Sequence, residues 1–345
     1  MNLPTPRWWY QRDQVPGPVV RALLRPVSWL WTYVTARRIA RTVPTDGNVP
    51  VICVGNLTVG GTGKTPVVRA ILDYFASTGI AAHSLSRGYG GRLSGPVRVD
   101  PQTHLATDVG DEPLMLAIGH AVWISRDRVA GARAAAASGA KVVVMDDGHQ
   151  NPSLKKTLSL IVLDGETRNG EWPLGDGSVV PAGPLREPLA AGLARADAII
   201  LVQPADIAQP DPDLMALMGN LPILIARLLP IGPPPSGLQL GFAGIGKPWK
   251  VERSLRLAGC QLVDFAPFPD HMAYAEPVLN ALAQRAASLD AGLVTTEKDW
   301  VRLSPDWRAK VTSWPIKAVF DDPAALTALL DLVVAKADHS QTPGR

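Results

Sequence analysis

The chain has 345 residues, 46% of them hydrophobic, a net charge of +3 and a pI near 8.9. Such a length favours two domains with ordinary cores, and the charge is too mild for the basic stripe of a nucleic-acid binder. The two cysteines, Cys53 and Cys260, lie far apart in apolar contexts, which predicts a reducing compartment and no disulfide framework.

Residues 1–45 read as an N-terminal amphipathic segment at a membrane interface. No signal peptide is expected, because prolines and arginines precede any apolar core. No run of about 18 uncharged apolar residues suggests a spanning helix. Within 18–41, Leu23, Leu24, Val27, Trp31 and Val34 recur at helical spacing, and Pro26 predicts a division into two short helices. The segment carries Arg21, Arg25, Arg37, Arg38 and Arg41, no acid, and the aromatics Trp29, Trp31 and Tyr33. Basic residues beside aromatic anchors suit a helix lying on anionic lipid. The plainer alternative is a helix packed on its own domain with its arginines in water.

Val49–Val54 predicts a buried strand, followed by the glycine-rich loop Thr58-Val59-Gly60-Gly61-Thr62-Gly63-Lys64-Thr65 and a helix beginning near Pro66. Glycines let backbone N–H groups crowd around phosphate oxygens, and the helix N-terminus adds positive potential. Lys64 reaches β- and γ-phosphates, and the Thr65 hydroxyl ligates Mg²⁺. Thr58 stands where the strict phosphate-loop pattern has glycine. A second buried strand ends in Asp146 and Asp147 within KVVVMDDGHQN, where such enzymes deliver an acid to Mg²⁺. ATP and Mg²⁺ are therefore the expected cofactors. Val59 occupies the place of the signature lysine of partition-type ATPases, and TTEKDW, with Lys298 and Asp299 adjacent, is a poor guanine motif. Small-molecule and lipid kinases remain.

Further strands are predicted at VVVM, LSLIVLD, AIILVQ and PILIARLLP, alternating with helices. The fold class is α/β: a P-loop NTPase-like, mostly parallel sheet flanked by helices over 46–232. The proline-rich PIGPPPSG marks a boundary. Beyond it, 233–335 reads as a smaller α/β domain whose last strand is IKAVF, and 336–345 as a disordered tail.

The motifs in order are VGNLTVGGTGKTP, SRGYGG, DVGDEP, SRDR, DDGHQN, PAGPLREP, AGIGKP, FPDH and TTEKD. Together they make the chain resemble the tetraacyldisaccharide 4′-kinase family over about residues 15–335, including the threonine at position 58. The resemblance implies transfer of the ATP γ-phosphoryl to the 4′-hydroxyl of a tetraacylated glucosamine disaccharide 1-phosphate lipid in lipid A synthesis. It implies Asp111 as the general base, with His271 beside it, and Lys64 and Asp147 at the reaction centre. Residue Met272 follows His271 where many relatives have a second histidine. The resemblance further implies Mg²⁺ at Thr65, Asp146 and Asp147, and substrate contacts from Arg87, Tyr89, Arg126, Gln150, Arg186 and Glu187. From the residues alone, Asp111 reads better as a helix N-cap; Arg126 or Arg128 pairing with Asp127, and Arg186 pairing with Glu187, stay open as structural alternatives. An acceptor with four acyl chains places the enzyme on the cytoplasmic face of the inner membrane, without an obligate protein partner. The rival reading is a nucleotide switch or metal-delivery module.

Overall fold

A computed structural model describes residues 6–11 and 18–340. In chain order the strands are β1 (Val51–Gly55), β2 (Ala82–Ser86), β3 (Val97–Arg98), β4 (Val122–Ile124), β5 (Val142–Asp146), β6 (Leu158–Asp164), β7 (Ala198–Gln203), β8 (Ile223–Pro230), β9 (Leu238–Ala243), β10 (Gln261–Pro267), β11 (Gly292–Thr296), β12 (Val311–Trp314) and β13 (Ile316–Phe320). Nine of them form one sheet in the order β13-β8-β7-β6-β1-β5-β2-β4-β3. Only the edge strands β3 and β13 run antiparallel to their neighbours. The central strands β1, β5, β6 and β7 are buried along their whole length, because a parallel sheet is covered on both faces.

The two faces follow the strand alternation. Ile52 and Val54 of β1 join a core with Val67, Ile71 and Phe75 of the helix Lys64–Ser77. Val51 and Cys53 point the other way, into a core with Ala132, Ala135 and Met145. Cys53 and Cys260 are both free thiols.

The smaller sheet is all parallel, in the order β10-β9-β11-β12. It ends at Trp314, short of the expected limit at 335. Strand β13, read from the sequence as the last strand of the small domain, pairs instead with β8, from Ile316↔Pro230 to Phe320↔Ala226. The reason is burial. Ala318 and Phe320 enter the core of the large sheet together with Leu326, Leu330 and Val333 of the following helix, Pro323–Ser340. That helix also replaces the tail expected from 336; residues 341–345 lie outside the described residues. The small unit is thus an insertion between β8 and β13.

The segment Pro18–Arg41 is one continuous helix rather than two. Pro26 and Ala22, whose carbonyl loses its partner, are both exposed, so the missing bond faces outward. Four side chains of this helix reach the body of the protein. Arg21 pairs with Asp176 at 2.6 Å, Ser28 Oγ donates to the Val179 carbonyl at 2.8 Å, Trp31 Nε1 to Arg186 O at 3.0 Å, and Arg38 to Gln150 O at 3.1 Å. The apolar residues point outward: Leu23, Trp29 and Leu30 are 72%, 70% and 63% exposed.

The two units meet through charge. Asp164, at the end of β6, accepts from Lys247 at 3.0 Å and Lys250 at 2.6 Å, while Lys247 also holds Glu171 at 2.8 Å. Arg253 pairs with Asp206 and lies 3.4 Å from Glu166. Burial opposes the charge on Asp164, but Lys250 and Lys247 outweigh it and hold the carboxyl at about 2. An unfolded aspartate titrates near 3.9, so this group contributes roughly 2–3 kcal/mol to folding at neutral pH. The contribution is present above about pH 4 and is lost as pH falls towards about 2. Asp164→Asn is expected to cost about 3 kcal/mol at neutral pH, since it removes the acid that Lys250 pairs with and one of the two that hold Lys247. Thermal unfolding at a series of pH values should show the gap to the parent chain closing between about pH 4 and about pH 2.

Candidate active site at the P-loop

Strand β1 delivers the chain to the glycine-rich loop, and the helix Lys64–Ser77 leaves it. Gly60 and Gly63 have φ of 101° and 85°, in the left-handed region that favours glycine. Gly63 is also the N-cap, and a Cβ there would press on Leu228 and Val202 at 3.2 and 3.4 Å.

The structure accounts for Thr58. The first half of the loop forms a short ladder with the PAGPLREP segment: Val59 N donates to Pro184 O at 2.8 Å, Arg186 N to Leu57 O at 2.7 Å, and Thr58 bridges Leu185. A β-branched residue suits that extended, buried position. Thr58 therefore braces the loop from outside the cavity, whereas Val59 to Thr65 line it. Tyr10 Oη also donates to the Val59 carbonyl, which ties the N-terminal segment to the loop.

Parallel pairing puts β5 beside β1, with Val54 opposite Asp146. Asp147 N then donates to Val54 O at 2.9 Å, and Asp147 turns into the left-handed region with φ 53°. The two acids separate in consequence. Asp147 lines the cavity, 3.7 Å from Lys64 Nζ and 2.8 Å from Arg186. Its cavity-wall surroundings disfavour charge, yet Lys64 and Arg186 hold it at about 2. Asp146 lies 1% exposed beneath, with both carboxylate oxygens unpartnered. Burial, with the Glu112 charge next, pushes it up to about 7. A buried acid without donors is a costly arrangement that a dication would relieve, so the donor set Thr65, Asp146 and Asp147 fits Mg²⁺.

Of the rest of DDGHQN, Gln150 and Asn151 line the cavity, whereas His149 is not among the lining residues. His149 is buried between Ser159 Oγ at 3.2 Å and Gly192 O at 3.0 Å, and burial lowers it to about 4. Gln150 donates to Asn56 O and to Glu187, both at 3.0 Å. Glu187 is 2% exposed, held by Arg195 at 2.6 Å, and is not among the residues that line the cavity. Arg186 and Glu187 thus pair with different partners and not with each other. Asp127 pairs with neither arginine of SRDR: it caps the helix Arg128–Ala137 through Val129 N and Ala130 N, both at 3.0 Å.

Asp111 is the first residue of the helix Asp111–Ala117, after the N-cap Gly110. One oxygen serves the helix start, accepting from Glu112 N at 2.9 Å. The other turns to the small unit. His271 Nδ1 lies 3.0 Å from Oδ2, Arg302 Nε donates to it at 2.9 Å, and Arg302 Nη2 donates to it as well. Burial works against the charge of Asp111, but the His271 hydrogen bond and the Lys298 and Arg302 cations hold it far below the usual carboxylate range. His271 has φ 57°, an uncommon conformation for a side-chain-bearing residue, and its ring lies 5.6 Å from that of Tyr89.

Lys64, Thr65, Asp147, Asp111 and His271 open on one cavity of about 1320 Å³, which runs from the P-loop past Asp111 and His271 and on to Trp31 and Arg38 of the N-terminal helix. Arg87, Tyr89, Arg126, Arg128, Gln150 and Arg186 line it; Thr58, Asp146 and Glu187 are not among the lining residues. The sequence reading missed Arg302 and the reach of Lys298, which pairs with Glu112 at 3.0 Å. The local signal was a single arginine three residues past TTEKD.

A family profile described as tetraacyldisaccharide-1-P 4′-kinase matches residues 20–335. A tetraacyldisaccharide 4′-kinase of Phenylobacterium zucineum (strain HLK1) is 66% identical over 330 residues, covering 96% of this chain and 99% of that protein. One from Caulobacter vibrioides (strain NA1000 / CB15N) is 64% identical, covering 96% and 98%. Among solved structures, LpxK from Aquifex aeolicus in complex with ATP superposes with a TM-score of 0.72 at 24% identity, over 92% of this chain and 100% of that one. That last likeness concerns the fold.

Gly55 is packed closely at the site: a Cβ there would stand 2.5 Å from His149 Cβ and 3.0 Å from its backbone nitrogen. Gly55→Ala is expected to lose about 2–3 kcal/mol by overpacking, read as a lowered Tm, and to weaken ATP binding through the displaced loop. A variant with parental Tm would show that the DDGHQ turn does not brace the phosphate loop.

Proposed function

The chain belongs to the tetraacyldisaccharide 4′-kinase family of lipid A biosynthesis, and on that premise we propose how its residues divide the work: the P-loop holds the ATP phosphates, Asp111 with His271 takes the hydroxyl proton, and the N-terminal helix rests on lipid. The observation that carries this reading is that the P-loop and the Asp111–His271 pair, which is formed across the two units, line one cavity.

In the transfer, the acceptor 4′-oxygen attacks the γ-phosphorus, the bond to the β-phosphate oxygen breaks, and ADP leaves. Loose phosphoryl transfer asks the protein mainly for positioning and charge neutralisation. Backbone N–H groups of Gly60–Thr65 and the start of the helix Lys64–Ser77 supply both, and Lys64 adds a cation. Thr65, Asp146 and Asp147 would hold Mg²⁺, which neutralises charge on the β- and γ-phosphates. Arg186, braced on Asp147 and Thr58 O, and Arg87, Arg126 and Arg128 give the cavity wall a cationic lining for phosphate groups, the 1-phosphate of the acceptor included. Gln150 and Glu187 act through position, by fixing the PAGPLREP loop. The switch reading is not favoured, since the matching relatives are kinases.

No helix among the described residues is long and apolar enough to cross a membrane. The helix Pro18–Arg41 instead turns Leu23, Val27, Trp29 and Leu30 outward, beside the exposed Arg25, Arg37 and Arg41. That surface suits peripheral attachment, with the apolar side chains in the acyl–headgroup boundary and the arginines on anionic headgroups, at the cytoplasmic surface of the inner membrane where ATP is present. The cavity reaches Trp31, Thr35 and Arg38, so an acceptor still in the bilayer would enter beside this helix.

Transfer of label from γ-labelled ATP to the disaccharide 1-phosphate lipid in micelles tests the assignment. Asp111→Ala is expected to lower kcat about 10²–10⁴-fold while ATP binding stays within a few-fold of the parent; an unaffected kcat would remove the base assignment. Separately, Leu23→Glu with Trp29→Glu should move the protein from the membrane to the soluble fraction without abolishing transfer in micelles. Unchanged fractionation would refute the interfacial role.

A further inference from the structure

Arg302 is 8% exposed, in a segment that begins at the end of β11. Its guanidinium spans two buried acids. Nη1 donates to Asp299 Oδ1 at 2.8 Å and to Gly244 O at 3.0 Å. Nε, at 2.9 Å, and Nη2 donate to Asp111 Oδ2 across the boundary between the units. Asp299 is 0% exposed and fully engaged on its far side: it accepts from Tyr274 Oη at 2.9 Å, Thr296 Oγ1 at 2.6 Å and Gly244 N at 3.1 Å. The planar fork of arginine therefore has one geometry available. It delivers two donors to the same oxygen that His271 Nδ1 approaches.

We propose that Arg302 is a positioning residue for phosphoryl transfer: its fork, fixed on Asp299, holds Asp111 of the large unit as an anion against His271 of the small one. The inference rests on the Asp111–His271 reading above. With Oδ2 saturated by three donors and Oδ1 engaged by Glu112 N, Asp111 is better placed to orient an imidazole than to receive a proton itself. An anionic acid facing Nδ1 selects the tautomer with its proton there, leaving the Nε2 lone pair free. The hydroxyl proton then passes to Nε2, giving an imidazolium stabilised by Asp111, and leaves to solvent after ADP departs. The contact crosses the boundary, since Asp111 belongs to the large unit, whereas His271 and Arg302 belong to the small one. Lys298 reinforces the same contact through Glu112 at 3.0 Å and Asp270 at 3.7 Å, and Glu297 through Arg69 at 2.8 Å. The charged and titratable groups around Asp111 are thus His271, Arg302, Lys298, Glu112 and Asp270, with Asp299 and Tyr274 behind Arg302.

The test uses the full chain with ATP and the lipid acceptor in micelles. Arg302→Gln should lower kcat about 10–100-fold with the KM for ATP within about threefold. It should also move the acid limb of kcat upward by about one pH unit, because the pair loses a cation that favours the anion. Arg302→Lys keeps the charge but not the fork; it should retain the parental limb and recover part of kcat. A limb that stays in place in Arg302→Gln, or moves equally in Arg302→Lys, overturns the proposal. Should Arg302→Gln fail to fold, the ¹⁵N shifts of the His271 imidazole in the parent decide: a proton on Nδ1 supports it and a proton on Nε2 overturns it. His271→Ala and Asp111→Ala serve as references. Parental rates in both would sink the underlying pair, whereas two inactive references beside a parental Arg302→Gln would sink Arg302 alone.

Discussion

Strand β1 lies parallel to β5 with Val54 opposite Asp146, and the chemistry of the site descends from that register. It sets the end of β5 beside the turn into the P-loop, so that Lys64 and Asp147 face each other. A slip of one residue would exchange the faces of the strand that moved. Were it β5, Val142 and Val144 would leave one core and Val143 and Met145 the other. Two separate hydrophobic cores therefore enforce a position on which phosphate binding depends.

Above that scaffold the site is assembled by opposed charges, most of them shared between the units. Asp147 answers Lys64 and Arg186 within the large unit. Asp111 answers His271 and Arg302 from the small one, and Asp164 answers Lys247 and Lys250. Buried ion pairs are poor sources of net stability. Their value here is geometric, since the pairs of Asp111 and Asp164 set how the small unit sits against the P-loop. The insertion of that unit between β8 and β13 anchors both of its chain connections in the large sheet, a natural arrangement for hinge closure. Asp146 is the exception, a buried acid without a protein partner, which is why a cation is chemically at home beside it.

The N-terminal helix follows the same logic in reverse. Its four polar contacts to the body fall at Arg21, Ser28, Trp31 and Arg38, one face at helical spacing. The large apolar side chains on the other face find no protein to cover them. Arg186 O and Gln150 O, which receive Trp31 and Arg38, belong to the loops that carry cavity-lining residues, so the helix is built into the rim of the site.

Much of this was legible in the sequence because the signals are local. A buried run of β-branched residues followed by GGTGKT specifies a strand, a phosphate loop and a helix through backbone conformations that glycine alone adopts readily. The nine ordered motifs specified the family. What depends on distant partners was not legible. Thr58 made sense only once Leu185 lay across from it, and IKAVF looked like a strand of the small domain until its apolar face was seen to complete the large sheet beside β8. Pro26 predicted a break because the sequence does not say which side of a helix faces outward. Arg302 carried no motif at all; its role arises from 191 residues of separation being closed to a hydrogen bond with Asp111. The sequence by itself determined the elements and the chemistry they carry, because propensity and turn geometry act over a few residues. Only the tertiary structure decided which charges meet, because electrostatic partners are chosen by how the sheets pack and not by their order along the chain.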